Sequence, residues 1–245
     1  VDVCSVIEQE LQDALSDPEP WLKSTEEISE LVLPKARVLV ESLSEWYAIA
    51  AEMVKRGIGK PIAESEIFVA QGRLLLNGAF GVLKAEKFLE YGRAVLRFIM
   101  DLRTASMMMR QIPGDIATLT GSAGWGSLRL EDGEEFLISG DDLTCAFYLF
   151  RLPDYWSRFL AFELPVPWTA LGVAREGTTF IASTVLPMGW GSSVGVMQAV
   201  GRFLALSPGP RGAEADPLGE LRRGQLGGSE RLRWSIYLDD LTVLR

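Results

Sequence analysis

Two adjacent carboxylates near the end of the chain, Asp239 and Asp240, stand between two short runs of β-prone residues. This pattern predicts a β-hairpin with acid at its turn. A second acidic pair, Asp141 and Asp142, follows another apolar run earlier in the chain. The runs are 136–139, 232–237 and 241–244. A fold that lays these segments side by side would bring the carboxylates together, an arrangement that suits two-metal phosphoryl chemistry.

The composition is that of an ordinary globular protein. The chain has 245 residues, 48% of them hydrophobic, which is enough for one large domain or two smaller subdomains. No apolar stretch reaches the roughly 20 residues that cross a bilayer, and no signal segment opens the chain. We therefore expect an intracellular protein, cytoplasmic or nuclear, without a membrane partner. Because the chain lacks an initial methionine and stops soon after Asp240, we expect a fragment of a longer protein.

The residue types that are missing restrict the chemistry. The chain has no histidine and only two cysteines, Cys4 and Cys145, which excludes a disulfide framework, zinc-finger spacing and histidine-dependent triads. Any catalysis by this chain must therefore use carboxylates, lysine, arginine or hydroxyl groups. The net charge of −9 opposes binding to nucleic acid. However, residues 1–60 carry 12 acids and 6 bases, whereas residues 84–110 carry 6 bases and 3 acids, so the acidity belongs mostly to the N-terminal segment.

Hydrophobic spacing predicts a mixture of helices and strands. The predicted helices cover 3–15, 35–55 and 192–206, and the strand-like segments cover 67–83, 94–100, 159–164 and 179–186. Gly57 ends the second helix, and Asn77-Gly78 is a turn signal between strands. Residues 207–230, with three prolines and six glycines, predict a long polar loop.

Three segments contain the candidate metal-binding and nucleotide-binding residues, and each of these segments also has a purely structural explanation. Asp142, with the aromatic Phe147 five residues later, fits a metal ligand beside a nucleotide sugar, or an acid that caps a helical turn. The glycines and serines of 185–193 fit the binding of phosphate or a template strand, or a simple strand-turn-helix joint. Asp239-Asp240 fits a metal-binding hairpin, or a surface turn.

Taken together, these segments resemble the reverse transcriptases of retroelements. The pattern Asp-x-x-x-Ala-Phe begins at Asp142, Leu-Pro-x-Gly-Trp begins at Leu186 and is followed by serines and a glutamine, and Tyr-x-Asp-Asp begins at Tyr237, in the family's order. The segment from Arg97 is similar to the fingers motif Arg-x-x-x-Asp-x-Arg. Residues 79–84 are similar to the fingers strand that ends in a triphosphate-binding lysine.

The resemblance implies an α/β (α+β) fold. A polymerase palm would carry the acids on an antiparallel sheet backed by helices, after a mixed fingers subdomain, with N-terminal helices on the outside. The expected division is a peripheral helical segment at 1–40, a fingers-like subdomain with a leading helix at 41–135, and a palm-like catalytic subdomain at 136–245. The loop at 207–230 would be flexible.

The resemblance also implies roles for individual residues. Asp142, Asp239 and Asp240 would be catalytic and hold two magnesium ions, with manganese as a substitute. The nucleotide-binding positions would be Lys84, Arg97, Leu143, Phe147, Met188, Gly189 and Gln198. Among these, Lys84 and Arg97 would contact the triphosphate, the Leu143 carbonyl would be an extra metal ligand, and the Phe147 ring would favour deoxynucleotides. The partners would be an RNA or DNA primer-template, deoxynucleotides, and the thumb and connection regions of a parent polyprotein.

Two departures from the family pattern affect nucleotide handling. Met188 stands where many relatives have glutamine or phenylalanine, and Val194 replaces a common proline. The leading interpretation is an RNA-directed DNA polymerase. The alternatives are a degenerate reverse-transcriptase-like domain that only binds nucleic acid, and another palm-type enzyme such as a different nucleotidyltransferase or a cyclase. The segment 186–198 argues against the last of these.

Overall fold

The chain folds into short helices and short antiparallel strands. The computed structural model describes residues 1–84, 89, 90, 93–120, 125, 126, 128–208, 214–223 and 232–244. The α-helices described are α1 (Gln9–Ser16), α2 (Thr25–Ser29), α3 (Leu43–Arg56), α4 (Arg103–Met108), α5 (Ala146–Leu149) and α6 (Ser193–Leu206). The strands described are β1 (Gly59–Ile62), β2 (Val69–Ala70), β3 (Arg73–Leu74), β4 (Gly78–Leu83), β5 (Leu89–Glu90), β6 (Arg93–Ala94), β7 (Leu96–Asp101), β8 (Ile138–Asp142), β9 (Val166–Pro167), β10 (Thr178–Ser183), β11 (Arg233–Tyr237) and β12 (Asp240–Leu244). A mixed α+β fold with small antiparallel sheets is therefore confirmed.

The chain divides into two compact units. Unit 1 contains Val1–Leu15, Ile112–Ala146 and Val194–Arg245, and unit 2 contains Ser16–Gln111 and Phe147–Ser193. These boundaries do not coincide with 1–40, 41–135 and 136–245. The first fifteen residues belong to unit 1, where Val3, Ile7 and Leu15 are buried. None of the helices in the described ranges is both long enough and apolar enough to cross a membrane.

In unit 2, helix α3 is shorter than the predicted helix 35–55. Its N-cap is Ser42, whose hydroxyl accepts a hydrogen bond from the backbone N–H of Glu45, and its C-cap is Gly57 in the left-handed conformation. The residues before Ser42 are extended, because the Leu39 N–H donates to the Ala79 carbonyl and Val38 bridges Ala79. Pairing with a strand thus replaces the first two predicted turns of helix.

The predicted turn at Asn77-Gly78 is wrong. Asn77 is completely buried, and its side-chain amide donates to the carbonyls of Phe159 and Ala161. Gly78 begins β4, where a Cβ atom would lie 2.4 Å from the Arg37 carbonyl oxygen. The turn lies instead at Gln71 and Gly72, which both have positive φ. Close backbone packing requires this glycine, and a turn does not.

In unit 1, the three-stranded sheet β11-β12-β8 lies on helix α6. The hairpin predicted at 232–244 is confirmed as β11 and β12. The predicted loop at 207–230 falls partly outside the described residues, at 209–213 and 224–231. Its described part is packed, since Leu221 is buried and its N–H donates to the Trp234 carbonyl at 2.7 Å.

A buried ion-pair network fixes this part of the loop to α6. The Arg202 guanidinium lies 2.7 Å from the Glu220 carboxylate and 2.6 Å from the Asp115 carboxylate. Arg222 pairs with Glu220 as well, at 2.6 Å. The Glu220 side chain is 2% exposed, so two arginines compensate a charge that water cannot reach.

Candidate functional site

The three-stranded sheet of unit 1 places acids from distant parts of the chain opposite one another. In the antiparallel register, Asp240 on β12 pairs with Asp142 on β8 and with Tyr237 on β11. Residues that are directly opposite in such a ladder share a face of the sheet. Asp142, Asp240 and Tyr237 therefore form one row across it, and Asp239 lies in the adjoining turn. The two acidic segments do lie side by side, as expected.

Hydrophobic alternation decides which face of the sheet the acids occupy. Trp234 and Ile236 of β11 point to the opposite face, where they pack with Ala205 of α6. Leu241 and Val243 of β12 pack against the same cluster. A slip of one residue in register would bury Asp240 and expose this apolar set. The core therefore holds the two carboxylates on the open face, where both are exposed.

Gln198 of α6 makes hydrogen bonds to the turn between β11 and β12. The Gln198 amide nitrogen donates to the Ile236 carbonyl at 3.1 Å, and its amide oxygen accepts from the Leu238 N–H at 3.0 Å. Leu238 has φ +60°, a conformation that is uncommon for a side chain of this kind. One helical turn further, a Cβ on Gly201 would lie 2.7 Å from the Leu238 carbonyl oxygen. Gln198 is 0% exposed, so in this structure it supports the turn from inside the protein.

We expect replacement of Gln198 by alanine to lower the free energy of unfolding by about 2 to 4 kcal/mol, because the buried polar groups of Ile236 and Leu238 lose their partner. Urea denaturation followed by circular dichroism measures this difference. Gln111→Ala is the matched control, since Gln111 is exposed and makes one long contact, 3.4 Å, to the Gly191 carbonyl. Equal stabilities of the two variants would show that Gln198 does not hold the turn.

A cleft of about 460 Å³ opens on the acidic face of the sheet. We call it the acid cleft, and its lining includes Asp142, Asp240, Tyr237, Ser235, Thr242 and Trp125. Alternation from Tyr237 and Asp240 to Ser235 and Thr242 would have found two of these residues from the sequence. No pattern in the sequence signalled Trp125.

The carboxylates of the acid cleft are hard oxygen ligands of the kind that magnesium prefers. Asp142 and Asp240 are partners in the register, so their side chains lie on the same face of the sheet. Within the described residues, no three or more histidine, cysteine, aspartate or glutamate side chains are grouped closely enough to hold a metal ion. The Leu143 N–H donates to the Asp239 carbonyl, and the Leu143 carbonyl accepts from the Ala146 N–H, so both of its backbone groups have partners.

In unit 2, the hairpin of β4 and β7 brings the two predicted basic residues to one face. Arg97 pairs with Val82, and the Lys84 N–H donates to the Val95 carbonyl, so Lys84 and Arg97 are diagonal neighbours. Arg97 is exposed and forms no ion pair with any residue that the structure describes. The face is therefore suited to an anion.

Asp101, the acid of the Arg-x-x-x-Asp-x-Arg segment that begins at Arg97, already has an ion-pair partner. Asp101 receives two hydrogen bonds from the Arg103 guanidinium, at 2.7 and 2.8 Å. These bonds hold the pKa of Asp101 below its ordinary value. Asp101 is therefore neutralised by its own neighbour, which leaves the charge of Arg97 available.

The remaining predicted positions also lie in unit 2. Phe147 is buried in α5, Met188 is half-buried, and Gly189 is exposed with φ +114°. A Cβ on Gly189 would lie 2.3 Å from the Met100 carbonyl oxygen, so backbone packing and the positive φ both require glycine there. The Ser193 hydroxyl is buried and donates to the Pro187 carbonyl at 2.6 Å. The Ser193 hydroxyl at the start of α6 is thus used in a hydrogen bond within the turn that precedes the helix.

No protein-family model and no curated protein matches this chain. Function must therefore be inferred from the residues and their geometry.

Proposed function

We propose that this chain is the fingers and palm part of an RNA-directed DNA polymerase, a reverse transcriptase encoded by a retroelement. The observation that carries the proposal is the register that sets Asp142 opposite Asp240 on the open face, with Asp239 in the adjoining turn. The order of the three motifs along the chain supports it. Such an enzyme extends the 3′-hydroxyl of a primer with deoxynucleotides.

The acid cleft supplies the charge for this reaction. Two like charges directly opposite on neighbouring strands repel each other, and a bound divalent cation would offset that repulsion. Asp142 and Asp240 would hold magnesium, or manganese in its place, and Asp239 is the third acid of the motif. Bound magnesium would lower the pKa of the primer hydroxyl and stabilise the leaving pyrophosphate. The protein's share is then to hold the carboxylates in place.

The resemblance assigns five residues of unit 2 to the nucleotide. Lys84 and Arg97, on one face of the β4-β7 hairpin, would bind the triphosphate as two neighbouring cations. Phe147 would form the wall of the sugar pocket and disfavour ribonucleotides. Gly189 and Met188 would lie close to the nucleotide. These roles come from the resemblance.

Primer extension on an RNA template with magnesium tests the proposal. We expect the protein to extend a DNA primer with deoxynucleotides, to use ribonucleotides poorly, and to lose all extension in the double variant Asp239→Asn, Asp240→Asn. Extension that persists in the double variant would contradict the site. A folded protein that binds primer-template without extending it would favour the degenerate binding domain instead.

A further inference from the structure

The inner wall of the acid cleft carries a hydroxyl group without a partner. Ser235 is 3% exposed, and its side chain makes no hydrogen bond within the part of the chain that the structure describes. Its register opposite Thr242, two residues from Tyr237, directs it to the acidic face. The hydroxyl therefore meets solvent only through the small exposed part of Ser235, which borders the cleft. A ligand in the cleft that donates or accepts a hydrogen bond would take the place of that water.

A tryptophan lies in the same cleft. The Trp125 side chain is 36% exposed, and its indole has no ring contact or hydrogen bond with the described residues. By contrast, Trp46, Trp156 and Trp234 are each at most 1% exposed. Because the Trp125 indole is partly exposed, it contributes less to the hydrophobic core than the three buried tryptophans do. Its flat face is available for stacking on a ligand.

This inference rests on the proposed function. We infer that Trp125 and Ser235 contact a nucleotide of the bound primer-template, with the indole stacked on the base and the serine hydroxyl bonded to a polar group of the same nucleotide. A nucleotide has both a flat π-face and a polar edge, as the two side chains require. An aliphatic ligand would leave Ser235 unpaired.

The negative charge of the acid cleft further restricts the class of ligand that can bind there. Asp142 and Asp240 would repel a bare anion, whereas a nucleotide brings magnesium with its phosphates. Trp125 and Ser235 are therefore assigned to substrate binding, separately from the carboxylates that carry the metal.

Binding without chemistry tests the assignment. A fluorescently labelled RNA-DNA primer-template is titrated with protein in calcium instead of magnesium, and anisotropy gives the dissociation constant. We expect Trp125→Ala to weaken binding about tenfold or more, because a base loses its stacking surface. Trp125→Phe should retain most of the affinity.

The serine variant adds a readout that a purely structural role would not give. Ser235→Ala should weaken binding about threefold, while its urea midpoint stays equal to or above that of the wild type, because no bond is lost in the free protein. A structural role predicts the opposite pattern. The matched controls are Trp168→Ala, which removes a half-buried indole of unit 2, and Ser139→Ala, which removes an exposed serine of β8. Both should bind as the wild type does.

The outcomes separate this inference from the proposed function. Wild-type affinity in both Trp125→Ala and Ser235→Ala, with extension still lost in the double aspartate variant, overturns the inference and leaves the polymerase proposal intact. A wild-type protein that neither binds nor extends primer-template overturns both. If Trp125→Ala does not fold, Trp125→Phe and Ser235→Ala decide the question.

Discussion

The single substitution Asp240→Asn is expected to reduce primer extension by about a thousandfold or more, because it removes one of two opposed carboxylates that would bind the metal. Asp142→Asn should have the same effect, since the two residues are partners in the register. Single-turnover extension assays on an RNA template, followed on denaturing gels, measure the loss.

The neighbouring residue Asp141 is the matched control. Asp141 also borders the acid cleft, but its partner in the register is Leu241 and not another acid. We expect Asp141→Asn to retain extension within about threefold, because no carboxylate lies opposite Asp141 to share a cation, and screening weakens the effect of a single exposed charge. Equal losses in Asp141→Asn and Asp240→Asn would mean that the acidity of the region matters and the register does not.

Stability measurements distinguish a loss of chemistry from a loss of fold. Because Asp142 and Asp240 repel each other across the strands, Asp240→Asn should unfold at the same urea concentration as the wild type or a higher one. The expected combination is thus an inactive protein with unchanged or greater stability. An inactive variant that is also strongly destabilised would show that Asp240 acts in folding.

The elements that the sequence predicts well are those in which local pattern and tertiary packing agree. The hairpin at 232–244 alternates over most of its two strands, because Trp234, Ile236, Leu241 and Val243 pack in one cluster with Ala205 of α6. Helix α6 was expected at 192–206 and is found at Ser193–Leu206. Both are ordered by burial, and burial is what hydrophobic spacing records.

Polar residues whose partners lie inside the protein are the ones that local pattern does not reveal. Asn77 has a turn-forming side chain, yet it is buried and bonded to two carbonyls from a distant segment. Gln198, which the resemblance places near the nucleotide, is a buried amide bonded to the turn that carries Asp239, and its role toward a nucleotide stays a prediction. In both cases the partners lie at least 38 residues away in the chain, and no local pattern encodes them. Tertiary contacts override turn propensity at such positions.

The substitution Gly195→Ala is expected to lower the free energy of unfolding by about 3 kcal/mol, although alanine is the better helix former. A Cβ on Gly195 would lie 2.3 Å from the Pro113 carbonyl oxygen, and a Cβ on the adjacent Gly114 would lie 2.3 Å from the Gly195 carbonyl carbon. Because the clashing atoms belong to the backbone, a change of side-chain rotamer cannot relieve the clash. Thermal unfolding followed by circular dichroism measures the loss, and Gly191→Ala, whose Cβ would come no closer than 3.8 Å to any atom, should change stability little.

The consequence of this contact extends to the acidic turn. The segment that contacts Gly195 continues to Asp115, which pairs with Arg202, and to Thr118, whose hydroxyl lies 3.2 Å from the Gln198 amide nitrogen. Displacing this segment would disturb the bonds that hold Leu238. We therefore expect Gly195→Ala to lower primer extension even under conditions where the protein remains folded. Full extension by a folded Gly195→Ala protein would show that the turn keeps its position without support from this side of the helix.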